Sequence, residues 1–365
     1  MKKNLFFMGI AAAAMLASCS NDETMDMPQS KTKAISFTNA FVNNGTRSIV
    51  DPSFKKETLG SFAVYGFTQN GQIFDGTTVT SSDNGNSWTY TPQQFWVKDN
   101  QYAFAAIAPA NTTVANETLE GASTTDYKVG MTVSFTNDGA TDLLHASADP
   151  VDANDNFMAS PIPVSFNFYH QLAKVKFSFA NNVGEPYNIE VTDVKITNAK
   201  KSGTLTINSE KQNAWSEVTD PSLELDFGAV GNSQDVAEAI EHNGEGETYY
   251  EKLMIPTESS ESYNVTFTVK LLNGTVPMGT YNHTATISNV ELELGYCYDF
   301  KATLTSDNIV VDPADPDAQL KPIVFEVTNI EDWTIVSTAL EGAKERVCEK
   351  EECGSLGVHS NYSCR

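Results

Sequence analysis

The stretch Val164–His170, which reads VSFNFYH, decides the fold class of this chain. Apolar residues alternate with Ser165 and Asn167 along it. Successive side chains of a β-strand point to opposite faces, so a period of two predicts a strand with one buried and one solvated face. The next stretch, Leu172–Phe179 (LAKVKFSF), continues the alternation. The pattern therefore favours antiparallel sheet over helix.

Runs of the same kind extend in both directions from this stretch. They are rich in Val, Ile, Thr, Phe and Tyr and are bounded by turn residues such as Asn70-Gly71, Asn243-Gly244 and Asn273-Gly274. About fifteen such runs predict an all-β protein with two antiparallel β-sandwich domains in tandem. The loop-like residues 149–163 suggest a boundary near residue 160, and only Ser233–His242 is expected to form a short helix.

Composition narrows the function classes. The 365 residues include 23 Lys+Arg and 47 Asp+Glu, so the net charge is -24, which argues against nucleic-acid binding. Hydrophobic residues make up 40% of the chain, enough for packed cores. The five cysteines are scattered and form no paired zinc motif.

The N-terminus is typical of an exported lipoprotein. Lys2 and Lys3 precede a short apolar stretch that suits a signal peptide, residues 1–18. Leu16-Ala17-Ser18-Cys19 matches the pattern at which a cysteine receives a diacylglyceryl group, which predicts lipidation at Cys19. The following SNDE sequence favours display on the outer face of the outer membrane, and a plain solvated linker is the alternative interpretation.

No catalytic constellation or cofactor motif is present, so neither an enzyme nor a cofactor is expected. His170 is expected to be a strand residue bonded to backbone. The tryptophans are expected to fill cores, with a sugar-stacking platform as the alternative. The tail, residues 337–365, carries Cys348, Cys353, Cys364 and His359, but their irregular spacing does not support a metal site.

The chain resembles the Bacteroidales fimbrillins, the pilus subunits and fimbrillin-like surface lipoproteins of these bacteria. The resemblance is carried, in this order, by DLLHA at Asp142–Ala146, VSFNFYHQLAKVKF at Val164–Phe177, LMIP at Leu253–Pro256, LGYCYDF at Leu294–Phe300, and the closing stretches Ile323–Phe325 and Val327–Trp333. It implies two transthyretin-like β-sandwiches and a structural, adhesive role.

The resemblance also implies a maturation route. An Arg-specific protease would cut between Arg47 and Ser48, removing the lipidated pro-segment 19–47 with its first strand. The mature protein would then contain an N-terminal sandwich, residues 48–160, and a C-terminal one, residues 161–336. A C-terminal strand carrying Ile323, Phe325 and Val327 would fill the groove of a neighbouring subunit.

The expected partners are thus other fimbrial subunits, the processing protease, a surface receptor whose identity the sequence does not give, and the outer membrane through Cys19. The tail beyond residue 336 departs from the family pattern, which favours a tip, anchor or accessory subunit, and a mis-joined reading frame is the alternative interpretation. The alternative function is a monomeric surface lipoprotein that binds glycans through its Trp and Tyr side chains.

Overall fold

The computed structural model describes residues 33–42, 59–121, 125–208, 213–257, 259–309 and 321–332. The first nine strands are β1 (Phe37–Val42), β2 (Ser61–Thr68), β3 (Gly71–Thr80), β4 (Gln101–Ala108), β5 (Thr113–Glu120), β6 (Lys128–Thr136), β7 (Leu144–Ser147), β8 (Val151–Asp152) and β9 (Val164–His170). The others are β10 (Ala173–Asn182), β11 (Tyr187–Ile207), β12 (Ala214–Gly228), β13 (Glu245–Glu247), β14 (Lys252–Met254), β15 (Glu261–Asn273), β16 (Val276–Val290), β17 (Tyr296–Thr305) and β18 (Phe325–Asp332). One short helix, α1 (Asp155–Ala159), lies before β9.

These strands form three sheets. The first has seven strands, in the order β1-β9-β7-β4-β2-β3, with β8 paired to β4. The second has five strands, in the order β13-β10-β17-β18, with β14 paired to β10. The third has six strands, in the order β16-β15-β11-β6-β5, with β12 paired to β11. The all-β prediction is confirmed, although two pairings, β1 with β9 and β10 with β17, are parallel.

The sheets enclose three apolar clusters. The first lies on one face of the seven-stranded sheet and includes Ile35, Phe37 and Phe104. The second lies between the other face of that sheet and β6 with the end of β11. The third lies between the five- and six-stranded sheets and includes Phe177 and Phe325. Strands β2 and β4 are therefore buried on both faces, which corrects the expectation of one solvated face and explains their continuous apolar sequences.

The strand predicted from VSFNFYH is present as β9, and its residues alternate strictly between buried and exposed positions. The helix predicted at Ser233–His242 is wrong, because this segment is irregular and returns to the sheet where Ile240 bridges Ile189. The predicted turns at Asn70-Gly71 and Asn273-Gly274 do join hairpins, β2–β3 and β15–β16.

Residue 160 does not separate the sheets. Strand β9 follows it and belongs to the first sheet, and β6 precedes it and pairs with Ser202–Ile207 of β11. The division into 48–160 and 161–336 stays a prediction. Among the described residues, no helix has the length and apolar character needed to cross a membrane.

Candidate functional site: the groove under the first strand

The first described segment, residues 33–42, lies at one end of the seven-stranded sheet. Within the described part of the chain, its strand β1 pairs with β9 alone, with Phe37 beside Val164. The Val164 amide donates to the Ser36 carbonyl over 2.8 Å. Strand β1 therefore occupies an edge position, from which it can leave without breaking any other strand pair in the described sheet.

The loop before β4 holds the start of this segment from the other side. The Ile35 amide donates to the Gln94 carbonyl and the Trp96 amide to the Lys33 carbonyl, each over 2.9 Å. The Tyr90 hydroxyl donates to the Ile35 carbonyl over 2.8 Å. Residues 33–36 thus bridge this loop and the edge of β9.

Apolar side chains of the segment fill a groove in the first cluster. Ile35 is fully buried and Phe37 is 5% exposed. The Phe37 ring contacts five aromatic rings at centroid distances of 5.4 to 6.4 Å, stacking on Phe166 and meeting the others edge to face. The other four rings belong to Phe62, Phe74, Tyr90 and Phe104.

Removal of the segment would leave a defined vacancy. Burial of an Ile or Phe side chain is worth about 1.5–3 kcal/mol each, so the emptied groove would expose a costly apolar surface. It would also leave the Val164 amide and the edge of β9 without their partners. Such a groove fits an extended peptide that supplies main-chain hydrogen bonds and alternate apolar side chains.

The candidate donor strand lies in the five-stranded sheet. Among the described strands, β18 pairs with β17 alone, with Phe325 beside Ala302 and Val327 beside Phe300. Ile323 and Phe325 are 7% and 8% exposed, whereas Val327 is 39% exposed. The Phe325 ring contacts the rings of Phe177, Phe179 and Phe267 at centroid distances of 5.4, 5.9 and 6.0 Å, respectively. Strand β18 is thus a second edge strand, docked on its own chain.

The motifs behind the family resemblance meet at the turn between β9 and β10. His170 Nδ1 lies 2.5 Å from Asp142 Oδ2, so its partner is a carboxylate rather than the expected backbone group. The Gln171 amide donates to the Leu143 carbonyl, and the Gly295 amide donates to the Leu172 carbonyl. Ala173 also pairs with Met254 of the LMIP motif. Four sequence motifs therefore share one junction.

Several predicted site residues lie outside the described part of the chain: Cys19, Arg47, Ser48, Trp333 and the tail residues Cys348, Cys353, His359 and Cys364. Cys297 lies on β17, is partly buried and packs against the second cluster. Three tryptophans, Trp88, Trp96 and Trp215, are at most 8% exposed, as expected of core residues.

The sequence did not nominate Tyr90 or the loop at residues 94–96 as parts of the groove. The sequence signal for these residues is weak, because one Tyr shortly after a Trp and before Pro92 is common in turns. The contacts become visible only when Lys33–Phe37 is placed against that loop.

Comparisons with known proteins agree with this architecture. The fimbrillin-like family model matches residues 46–333. A fimbrial protein from Bacteroides vulgatus is 16% identical, with 83% of this chain and 100% of that chain covered and a TM-score of 0.57. Candidate cell adhesion proteins from Bacteroides ovatus (18% identical, 84% and 99% covered, TM-score 0.45) and Bacteroides uniformis (13%, 84% and 100%, TM-score 0.45) also match. No curated protein matches the sequence.

The family match covers most of the chain, including the groove-lining strands β2, β3, β4 and β9 and the whole of β18. The likeness to the B. vulgatus protein independently supports the fold. The chain therefore belongs to the fimbrillin-like family, a family of structural, non-enzymatic fimbrial proteins of the cell surface.

Proposed function

We propose that this chain is an adhesive fimbrial subunit that is exported as a lipoprotein through Cys19, cut between Arg47 and Ser48, and assembled by strand exchange. The observation that carries the proposal is the position of Ile35 and Phe37. They fill an aromatic groove from an edge strand that lies only a few residues before Arg47.

Lipidation at Cys19 holds the precursor on the outer membrane, because several acyl chains together give stable anchoring. Cleavage after Arg47 separates residues 33–47 from the rest of the covalent chain. The cut segment then keeps its groove only through noncovalent contacts, so a neighbouring strand can displace it.

Strand β18 of a neighbouring copy is suited to displace the cut segment from its groove. Ile323, Phe325 and Val327 present alternate side chains on one face, as strand addition requires. Exchange of β18 between copies is heterologous, and a head-to-tail contact that does not close on itself produces a fibre.

The tip or accessory position is supported by the tail. The family match ends at residue 333, and residues 337–365 follow the donor strand without family resemblance. An extension at the donor end would hinder insertion into another groove. The glycan-binding alternative loses the support of the three described tryptophans, which are core residues, although Tyr169 and Tyr249 remain exposed.

The test uses the lipid-free precursor, residues 20–365, and a trypsin-like Arg-specific protease. Arg47 is the only arginine before Arg346, so Arg346→Ala limits the internal cuts to the bond after Arg47. We expect a clean cut by intact mass. Oligomers on an unboiled gel are expected mainly from the chain that keeps Arg346 and so also loses residues 347–365, because the tail of the Arg346→Ala chain hinders insertion. Arg47→Ala is the matched uncut control and is expected to stay monomeric.

Each step can fail separately. Oligomers formed equally by Arg47→Ala would refute the need for processing. A clean cut that gives only monomers, both in the Arg346→Ala chain and in the chain that keeps Arg346 and loses residues 347–365, would refute strand exchange. A cut chain that assembles only after the tail is removed would support a terminal position in the fibre.

A further inference from the structure

A cavity of about 350 Å³ lies beside the start of β17, away from the groove under β1. Trp215 and Asn213 form one side, and Glu291, Glu293 and Tyr296 form another. Ligand pockets for small molecules begin at about 300 Å³, so this cavity has room for one compact group.

The hydrogen-bond donors around the cavity are already engaged within the protein. Trp215 Nε1 donates to the Gln171 carbonyl over 2.9 Å, and Asn213 Nδ2 donates to Gln171 Oε1 over 2.7 Å. The Glu293 amide donates to the Tyr298 hydroxyl over 2.7 Å. A ligand that needs donors, such as a phosphate or carboxylate, therefore finds the indole N–H and the Glu293 amide already used, with the second hydrogen of Asn213 Nδ2 left among these three groups.

The acceptors around the cavity are available. Glu291 and Glu293 are exposed, and neither is paired with a Lys or Arg in the described part of the chain. Burial raises the pKa of the Tyr298 hydroxyl, and the negative charges of Glu293 and Glu291 act in the same direction. Both carboxylates therefore contribute a negative potential beside the cavity.

The Thr257 hydroxyl is not open to a ligand. Thr257 lines the cavity, but it is only 8% exposed and its Oγ1 is buried. The hydroxyl lies close enough to the Tyr263 hydroxyl to oppose the rise that burial causes in the pKa of Tyr263. The acceptors that a ligand can reach are therefore the exposed carboxylates of Glu291 and Glu293.

We propose that this cavity binds a primary alkylammonium group, such as the end of a lysine side chain or of a polyamine. The ammonium carries three donors and no acceptor, which complements the carboxylates of Glu291 and Glu293. The half-buried Tyr296 ring offers a cation–π face, and the apolar walls of Pro256, Leu292 and Leu294 suit an aliphatic stem.

The proposal does not depend on cleavage at Arg47 or on strand exchange, because no cavity residue belongs to β1 or β18. The proposal concerns the binding of a cationic ligand in the cavity beside the start of β17, and not the assembly of subunits. The net charge of -24 for the whole chain acts in the same direction by attracting cations.

The test is a titration of the uncut chain with two probes, cadaverine and Nα-acetyl-lysine amide, followed by the Trp215 indole N–H resonance and by calorimetry. Trp215→Phe assigns the resonance. We expect saturable binding that weakens several-fold between low salt and about 500 mM salt. Tighter binding of cadaverine would indicate a free polyamine, and tighter binding of the lysine amide would indicate a partner's side chain.

Matched controls separate the site from general charge attraction. Glu291→Gln with Glu293→Gln should weaken binding by at least about tenfold, the value of one charged hydrogen bond. Asp149→Asn with Glu185→Gln makes the same charge change at exposed positions elsewhere and should leave the affinity within about twofold. The proposal is overturned if both double variants bind alike, if Nα,Nε-diacetyl-lysine amide binds equally, or if no saturable binding occurs.

Discussion

His170 Nδ1 lies 2.5 Å from Asp142 Oδ2, and the two side chains are 3% and 0% exposed. His170 ends β9, and its register partner Leu144 begins β7 two residues after Asp142. The contact therefore ties neighbouring strands at the junction where the family motifs meet. A buried carboxylate without such a partner would be costly, so this pair constrains the junction strongly.

Replacement of Asp142 by Ala should destabilise the fold by about 3–5 kcal/mol, because it leaves a buried imidazole without its partner. The free energy of unfolding from urea denaturation measures the effect, and the slope of the transition should not change if the folded and unfolded states stay alike.

The matched control is the exposed pair Lys98–Asp155, whose side chains are 51% and 79% exposed. Asp155→Ala should cause no measurable change, since exposed ion pairs contribute little. Equal effects of the two substitutions would contradict a structural role for the Asp142–His170 contact.

Replacement of Phe37 by Ala should cost the uncut chain about 3–5 kcal/mol, because Phe37 contacts five aromatic rings in the groove. Ser36→Ala is the control: its side chain is exposed and its carbonyl bond to Val164 is retained. Unfolding of the purified precursors gives both values.

The same Phe37 variant links stability to maturation. After cleavage at Arg47 and loss of the segment, the wild-type and Phe37→Ala products have the same sequence and must unfold alike. The variant should also release its segment faster, which native mass measurements after cleavage can follow. Equal release from both proteins would argue against Phe37 as the anchor of the strand.

Replacement of Phe325 by Ala should destabilise the uncut chain by about 3–5 kcal/mol, because its ring is buried among three phenylalanines. Val327→Ala should cost less than about 1 kcal/mol, since Val327 is 39% exposed. If β18 is also the donor strand, Phe325→Ala reduces the oligomer ladder more than Val327→Ala does. A ladder that is unaffected by Phe325→Ala would count against β18 as the donor.

The sequence predicts the elements of this fold better than their partners. The alternation in Val164–His170 predicts its burial pattern residue by residue. Nothing in that alternation indicates that β9 pairs in parallel with β1, because strand direction is decided by long-range packing. The continuous apolar run of β4 arises because this strand is buried on both faces, and an alternating pattern does not predict such burial.

Local propensity also fails where tertiary contacts are stronger. Residues 233–242 have a helical spacing of apolar side chains, yet the Glu238 amide donates to the Val230 carbonyl and Ile240 joins Ile189. Val236, one of the apolar residues in this spacing, is 66% exposed. In the site, the donor strand stays a prediction, and the ring set around Phe37 could be identified only from the fold.

The pH dependence of stability should reflect His145 on β7. Burial lowers its pKa to about 4, from an ordinary value near 6.5. Between these values the unfolded chain binds a proton that the folded chain excludes, so stability falls as the pH falls. The loss begins near pH 6.5, is complete near pH 4, and amounts to about 3 kcal/mol.

His145→Gln, which cannot take up that proton, should flatten this part of the profile in urea denaturation measured at several pH values. A parallel profile for the variant would assign the acid sensitivity to other groups, because only a residue with different proton affinities in the two states can change the slope.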